Sequence, residues 1–105
     1  MAKKSKPAST AHALRIEGEM TIYRAAELKQ TLLDSVNAQP TVAIDLSAVS
    51  EIDTAGLQLL MLAKRAAHAC QRELRLVGHS PAVLDVFQLF DLAAFFGDPL
   101  VVPSA

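Results

Sequence analysis

The stretch that decides the fold runs from Ile44 to Ala67, "IDLSAVSEIDTAGLQLLMLAKRAA". It begins inside Thr41 to Leu46, "TVAIDL", a short, β-branched and mostly apolar run whose composition suits a central strand covered on both faces. It ends inside an apolar helix from Thr54 to about Cys70, with Leu59, Leu60, Ala63, Ala67 and Cys70 as its core stripe. Ser47 to Asp53, between them, reads as a loop or as an extension of the strand. At the junction stand Asp53, Thr54, Ala55 and Gly56. Asp is among the best helix N-caps, and its carboxylate can accept from the amides of Ala55 or Gly56. A Thr54 hydroxyl beside it is exposed among free amides that suit an anion. Glu51 and Asp53 would oppose a phosphate dianion there by like-charge repulsion. From these residues alone the choice lies between a plain helix cap and a hydroxyl whose modification changes the local surface.

Working outward, "AHALRIEGEM" from Ala11 suits a half-exposed strand closed by Gly18. A helix over Arg24 to Val36 follows, because Ala25, Leu28, Leu32 and Val36 recur on one face while Glu27, Lys29, Gln30 and Asp34 cover the other. Pro40 ends it by disfavouring helical geometry at Gln39. Lys64, Arg65, His68 and Gln71 lie towards the end of the second helix, where cations suit the helix dipole. "ELRLVG", Glu73 to Gly78, is a further strand. Ser80 then caps a third helix that has Pro81 at its first position and Val83, Val86, Phe87 and Phe90 on its buried face. "LAAFFGDPLVV" gives a helix end, a turn and a short last strand at Leu100 to Val102. The order β-α-β-α-β-α-β makes this an α/β fold, a mostly parallel sheet of about four strands backed by about three helices with right-handed crossovers.

The chain has 105 residues, enough for one domain, with 51% apolar and 5% aromatic residues, so Leu, Val, Ile and Ala build the core. Lys3, Lys4 and Lys6 fall in a Ser/Ala/Pro-rich start, residues 1–10, read as a disordered basic tail ahead of a domain over 11–105. From position 11 onward eleven acidic residues face seven basic ones, which argues against nucleic-acid binding by the folded part. No apolar run approaches the ~20 residues that span a bilayer, and no apolar segment follows the early lysines as in a signal peptide. The lone Cys70 cannot make an intramolecular disulfide and reads as a buried thiol. The expectation is a cytoplasmic protein without membrane insertion.

Other residues carry less chemistry. Asp45 either joins the polar rim near Thr54 or caps a strand end. His12, His68 and His79 have no metal-ligand spacing. Phe87, Phe90, Phe95 and Phe96 read mainly as core, with Phe95 and Phe96 as candidates for apolar surface in a dimer or with a partner. The glycines are isolated, so no phosphate-cradling loop is present, and no base and orienting group accompany Thr54. No enzyme, cofactor or metal is expected.

"DLSAVSEIDTAGLQLL" resembles the signature of the STAS domain, the anti-sigma-factor antagonist family. The resemblance extends to "GEMTIYRAAELKQTL", similar to the family's Gly-Glu-Leu-Asp segment, and to "LRLVGHSPAVLDVFQLFDLAAFF", similar to its strand and Ser-Pro helix. It runs from about Ala11 to Val102 and implies a STAS-type fold. It also implies a bacterial partner-switching module, free of catalysis, that is bound and phosphorylated by a kinase-type anti-sigma factor and dephosphorylated by a PP2C-like phosphatase. The acceptor then maps to Thr54, and the partner-binding surface to Thr21, Asp45, Glu51, Asp53, Thr54, Ala55 and Gly56. The chain is also similar to stand-alone STAS proteins accompanying chemotaxis and two-component genes, which implies a histidine-kinase-pathway protein as partner. Two departures stand out. The acceptor is Thr rather than Ser, and Thr21 stands where many antagonists have Asp. Other stand-alone STAS proteins with Asp-Thr-x-Gly resemble the accessory subunit that clamps the ATPase of a phospholipid-transport ATP-binding-cassette complex, a structural role. A monomer or weak dimer is expected in either case.

Overall fold

The computed structural model describes residues 12–90 and Gly97. Strand β1 spans His12–Met20 and leads through a short 3₁₀ turn, Ile22–Arg24, into helix α1, Ala25–Ala38. Strand β2 (Thr41–Ile52), helix α2 (Thr54–Ala69), strand β3 (Glu73–Val77) and helix α3 (Pro81–Phe90) follow. The expected last strand, Phe95, Phe96 and the basic tail lie outside the described residues.

The described sheet is parallel, in the order β1-β2-β3. Both crossovers step across it in the same direction, so two right-handed connections put α1 and α2 on one face. Register aligns Leu14, Ile44 and Leu76 across the three strands, and Val42 beside Leu74. These side chains point towards the helices and join Leu28, Leu32, Val36, Leu60 and Ala63 in one core. On the opposite face Ala13, Arg15, Arg75 and Val77 are exposed, while Thr41, Ala43 and Asp45 are half-buried. β2 is therefore closed on one face and only partly covered on the other.

Ser47 to Ile52 is strand, not loop. Between the pairs Arg15↔Asp45 and Glu17↔Ala48, β2 takes one residue more than β1, and it does so again between Gly18↔Val49 and Glu19↔Glu51. These two bulges turn the inward set from Val42, Ile44, Leu46 to Val49 and then Ile52. β1 likewise runs through Gly18, at φ +82°, to Met20 rather than stopping there.

α1 starts at Ala25, the first residue of its apolar stripe and one later than the expected Arg24, because Ile22 to Arg24 form the 3₁₀ turn. The Arg72 guanidinium closes the other end, donating from Nη1 to the carbonyls of Val36, Asn37 and Gln39 at 3.1, 3.3 and 2.9 Å. α2 ends in a Schellman pattern, with Arg72 N–H donating to Ala67 O and Gln71 N–H to His68 O, and Gln71 held at φ 59°. That termination rotates Cys70 off the core stripe, so the thiol is exposed rather than buried. Ser80 caps α3 through Val83 N–H at 3.3 Å, with Pro81 first in the helix. α3 packs mainly on β2, burying Val83, Leu84 and Phe87. Val86 is half-buried, and Phe90, the last residue of α3, is exposed although it continues the Val83–Phe87 stripe.

Candidate functional site

The C-terminal ends of β1 and β2 meet the N-terminus of α2 at Asp53. Its backbone N–H donates to Met20 O at 3.2 Å, and its carbonyl accepts from Leu57 N–H at 2.9 Å. Its carboxylate is divided between two chain segments. Oδ1 accepts from Gly56 N–H at 2.9 Å, the N-cap bond, and Oδ2 accepts from Ile22 N–H at 3.0 Å. The amides of Gly56 and then Ile22, with a smaller share from Ala55, hold the Asp53 carboxyl below the ordinary carboxylate range, against some desolvation. One side chain thus caps α2 and ties down the turn that follows β1.

Gly56 makes this junction possible. A Cβ there would lie 2.0 Å from Met20 O and 2.8 Å from Met20 C. Only a residue without one lets the first turn of α2 rest on the end of β1. Thr54, the first residue of α2, is exposed, with Ala55 half-buried beside it and Gly56 buried beneath.

Glu51 is exposed and pairs in register with Glu19, so two carboxylates sit side by side on adjacent strands. Glu51 has no ion-pair partner among the described residues. Thr21 is buried, and its hydroxyl donates to Glu19 Oε1 at 3.0 Å. It lies in the floor of this end rather than on its surface.

Asp45 does not join the group. Asp45 lies seven positions before Ile52, on the order of 20 Å along β2. There Oδ1 accepts from Ser47 N–H at 2.9 Å, bridging the first bulge. Ser47, through its amide and then its hydroxyl, lowers the Asp45 pKa, with a smaller contribution from Arg15. Asp45 therefore sits neither on the rim near Thr54 nor at a strand end, but within β2 at its first bulge.

The turn beside Asp53 adds residues that the sequence reading did not single out. Ile22 is 61% exposed and Tyr23 90% exposed. Arg24 Nη1 donates to Glu17 O at 2.7 Å and Glu19 O at 2.6 Å, satisfying two carbonyls of β1, and Nη2 lies 3.5 Å from Glu27. The signal was present: Ile22 and Tyr23 are large and apolar but fall outside the Ala25, Leu28, Leu32, Val36 stripe. Among the described residues no group of three His, Cys, Asp or Glu side chains is placed to hold a metal ion, and no helix is long and apolar enough to cross a membrane.

The fold and the sequence find relatives. The anti-sigma factor antagonist SpoIIAA in its unphosphorylated form is 22% identical, with 89% of this chain and 84% of that chain covered at a TM-score of 0.67. An anti-sigma factor antagonist from Mycobacterium paratuberculosis is 22% identical over 92% of this chain and 83% of that one, with a TM-score of 0.77. The Bacillus cell fate determinant SpoIIAA in its phosphorylated form is 19% identical over 91% and 88%, with a TM-score of 0.64. At these identities the likeness establishes the fold. The family described as "Mlab, STAS domain" matches residues 5–102, nearly the whole sequence, and the chain therefore belongs to the STAS-domain family.

Proposed function

We propose that this chain is a non-catalytic signalling module that binds a kinase-type regulatory protein through the N-terminal end of α2. Reversible phosphorylation of Thr54 would control that binding. The observation that carries the reading is the position of Thr54: exposed, first in the helix, and next to an aspartate already committed to capping. Because Asp53 fills the cap, the Thr54 hydroxyl is not needed to start α2 and is open to modification.

A phosphate on Thr54 adds roughly −1.5 to −2 charges. The helix dipole accommodates that charge. Glu51 and Asp53 oppose it, so the gain in negative field falls mainly on whatever docks there. Likeness in fold to an antagonist solved in unphosphorylated and phosphorylated forms supports the same reading. The partner would be a kinase-type anti-sigma factor or a histidine-kinase-pathway protein, with a PP2C-like phosphatase restoring the hydroxyl. Intact-mass measurement of protein from its native cells, with and without phosphatase, tests this directly. An ~80 Da difference assigned to Thr54 is the expected result. Its absence under every growth condition overturns the switch.

The family description and the exposed Ile22–Tyr23 pair favour a second reading of the same surface. An apolar docking element suits a lasting contact, as in an accessory subunit clamping the ATPase of a phospholipid-transport ATP-binding-cassette complex. Recovery of an ATPase subunit in pull-downs with unmodified Thr54 supports the clamp; recovery of a kinase and a phosphatase supports the switch.

A further inference from the structure

We infer that the Ile22–Tyr23 turn is the anchor of the docking face, and that it fits a protein partner whose apolar pocket is bordered by Arg or Lys. The inference rests on the reading that the N-terminal end of α2 is where partners dock.

Tyr23 is the most exposed large hydrophobic side chain among the described residues, and Ile22 stands beside it. An exposed aromatic on a loose loop would lose much conformational freedom on binding. This one is held in place. Ile22 N–H is bonded to the Asp53 carboxylate, Arg24 N–H donates to Thr21 O at 2.9 Å, and the Arg24 guanidinium clamps two β1 carbonyls. A preformed turn presenting a two-torsion aromatic binds at low entropic cost. Tyr is also enriched among residues that dominate interface energies.

The rim selects the partner. Glu19 and Glu51 lie opposite each other in register, an arrangement that costs the isolated fold stability. Asp53 and Glu27 flank the same turn. Arg24, the cation within the turn, is spent on the chain's own carbonyls and Glu27. The field around Tyr23 is therefore negative. A second copy docked symmetrically would set acid against acid, whereas Arg or Lys around an apolar pocket would relieve the Glu19–Glu51 pair.

The test places a benzophenone amino acid at position 23, 54 or 29 of the full chain in its native cells; Lys29 is an exposed α1 position away from the turn. Positions 23 and 54 should cross-link to one protein, position 29 should not, and the peptide caught by position 23 should line an apolar pocket flanked by Arg or Lys. With that protein purified, Tyr23→Ala should weaken the calorimetric Kd on the order of 30-fold. Circular dichroism and the melting temperature should be unchanged, and Tyr23→Phe should bind nearly as wild type. Added salt should weaken the wild-type complex. Cross-linking at 54 with silence at 23, or a Tyr23→Ala affinity within twofold of wild type, overturns the anchor and leaves the docking face standing. Silence at both overturns the docking face as well. Capture of an acidic surface, or of a second copy of this chain, overturns the partner chemistry.

Discussion

Replacing Gly56 with alanine should destabilise the protein, although Gly56 lies inside α2. Helix propensity alone predicts the reverse, a gain of about 1 kcal/mol. The contact with β1 decides the sign. The new Cβ would meet Met20 O at 2.0 Å, and Cβ contacts below 3.0 Å are essentially never seen, so the start of α2 must retreat by at least about 1 Å. The two nearest atoms, Met20 O and C, are backbone, and Met20 is fully buried, so no flexible side-chain end can move aside. Retreat stretches the Asp53 N–H to Met20 O bond, already 3.2 Å, beyond hydrogen-bonding range, a loss of about 1 kcal/mol. Forcing volume into a packed site costs a further ~1–3 kcal/mol. Set against the propensity gain, the net loss is about 1–3 kcal/mol, or a fall in Tm on the order of 10 °C for a domain of this size. Urea denaturation of wild type and Gly56→Ala, with equal m-values, measures it. A variant as stable as wild type, or more so, would refute the claim that α2 rests directly on the end of β1.

The same structure predicts an acid limb to stability. Asp53 and Asp45 both titrate below the ordinary aspartate range, so each contributes stability that is complete above the unfolded carboxylate pKa and is lost as pH falls through the lower folded value. Thermal melts from pH 6 to 2 should show Tm declining below about pH 4, less steeply for Asp53→Asn, and equal slopes would contradict the role given to Asp53. Arg72→Ala removes three bonds to the C-terminal carbonyls of α1 and should cost about 2 kcal/mol in urea unfolding. Gln71→Gly relieves a left-handed backbone at the end of α2 and should stabilise by about 1 kcal/mol, read in the same assay.

Elements with a single unbroken periodicity were legible in the sequence. The α1 stripe, the "TVAIDL" strand, the Asp53 cap and the Ser80–Pro81 start all depend on residues within one or two turns of each other. What escaped depends on distant geometry. The β2 extension carries two bulges that shift its inward phase, so no alternation survives over Ser47–Ile52. Cys70 and Phe90 each match a helical stripe, but Cys70 is the C-cap of α2 and Phe90 the last residue of α3, and both are exposed. Asp45 and Asp53 look like neighbours in sequence, but Asp45 sits within β2 at its first bulge and Asp53 follows the strand's end as the cap of α2. Gly56 was quoted as part of a motif, whereas the reason for it, the backbone of Met20, comes from β1. Ile22 and Tyr23 were visible as apolar residues off the stripe, but only the fold shows that nothing buries them.

The central claim is that the exposed end of α2 around Thr54 is a docking face whose charge state sets affinity. The most direct test titrates the partner cross-linked from position 54 into wild-type protein and Thr54→Glu by calorimetry, with urea unfolding to confirm that both are equally folded. Thr54→Glu should weaken binding at least tenfold, about 1.4 kcal/mol, with stability unchanged. Equal affinity for the two folded proteins would contradict it.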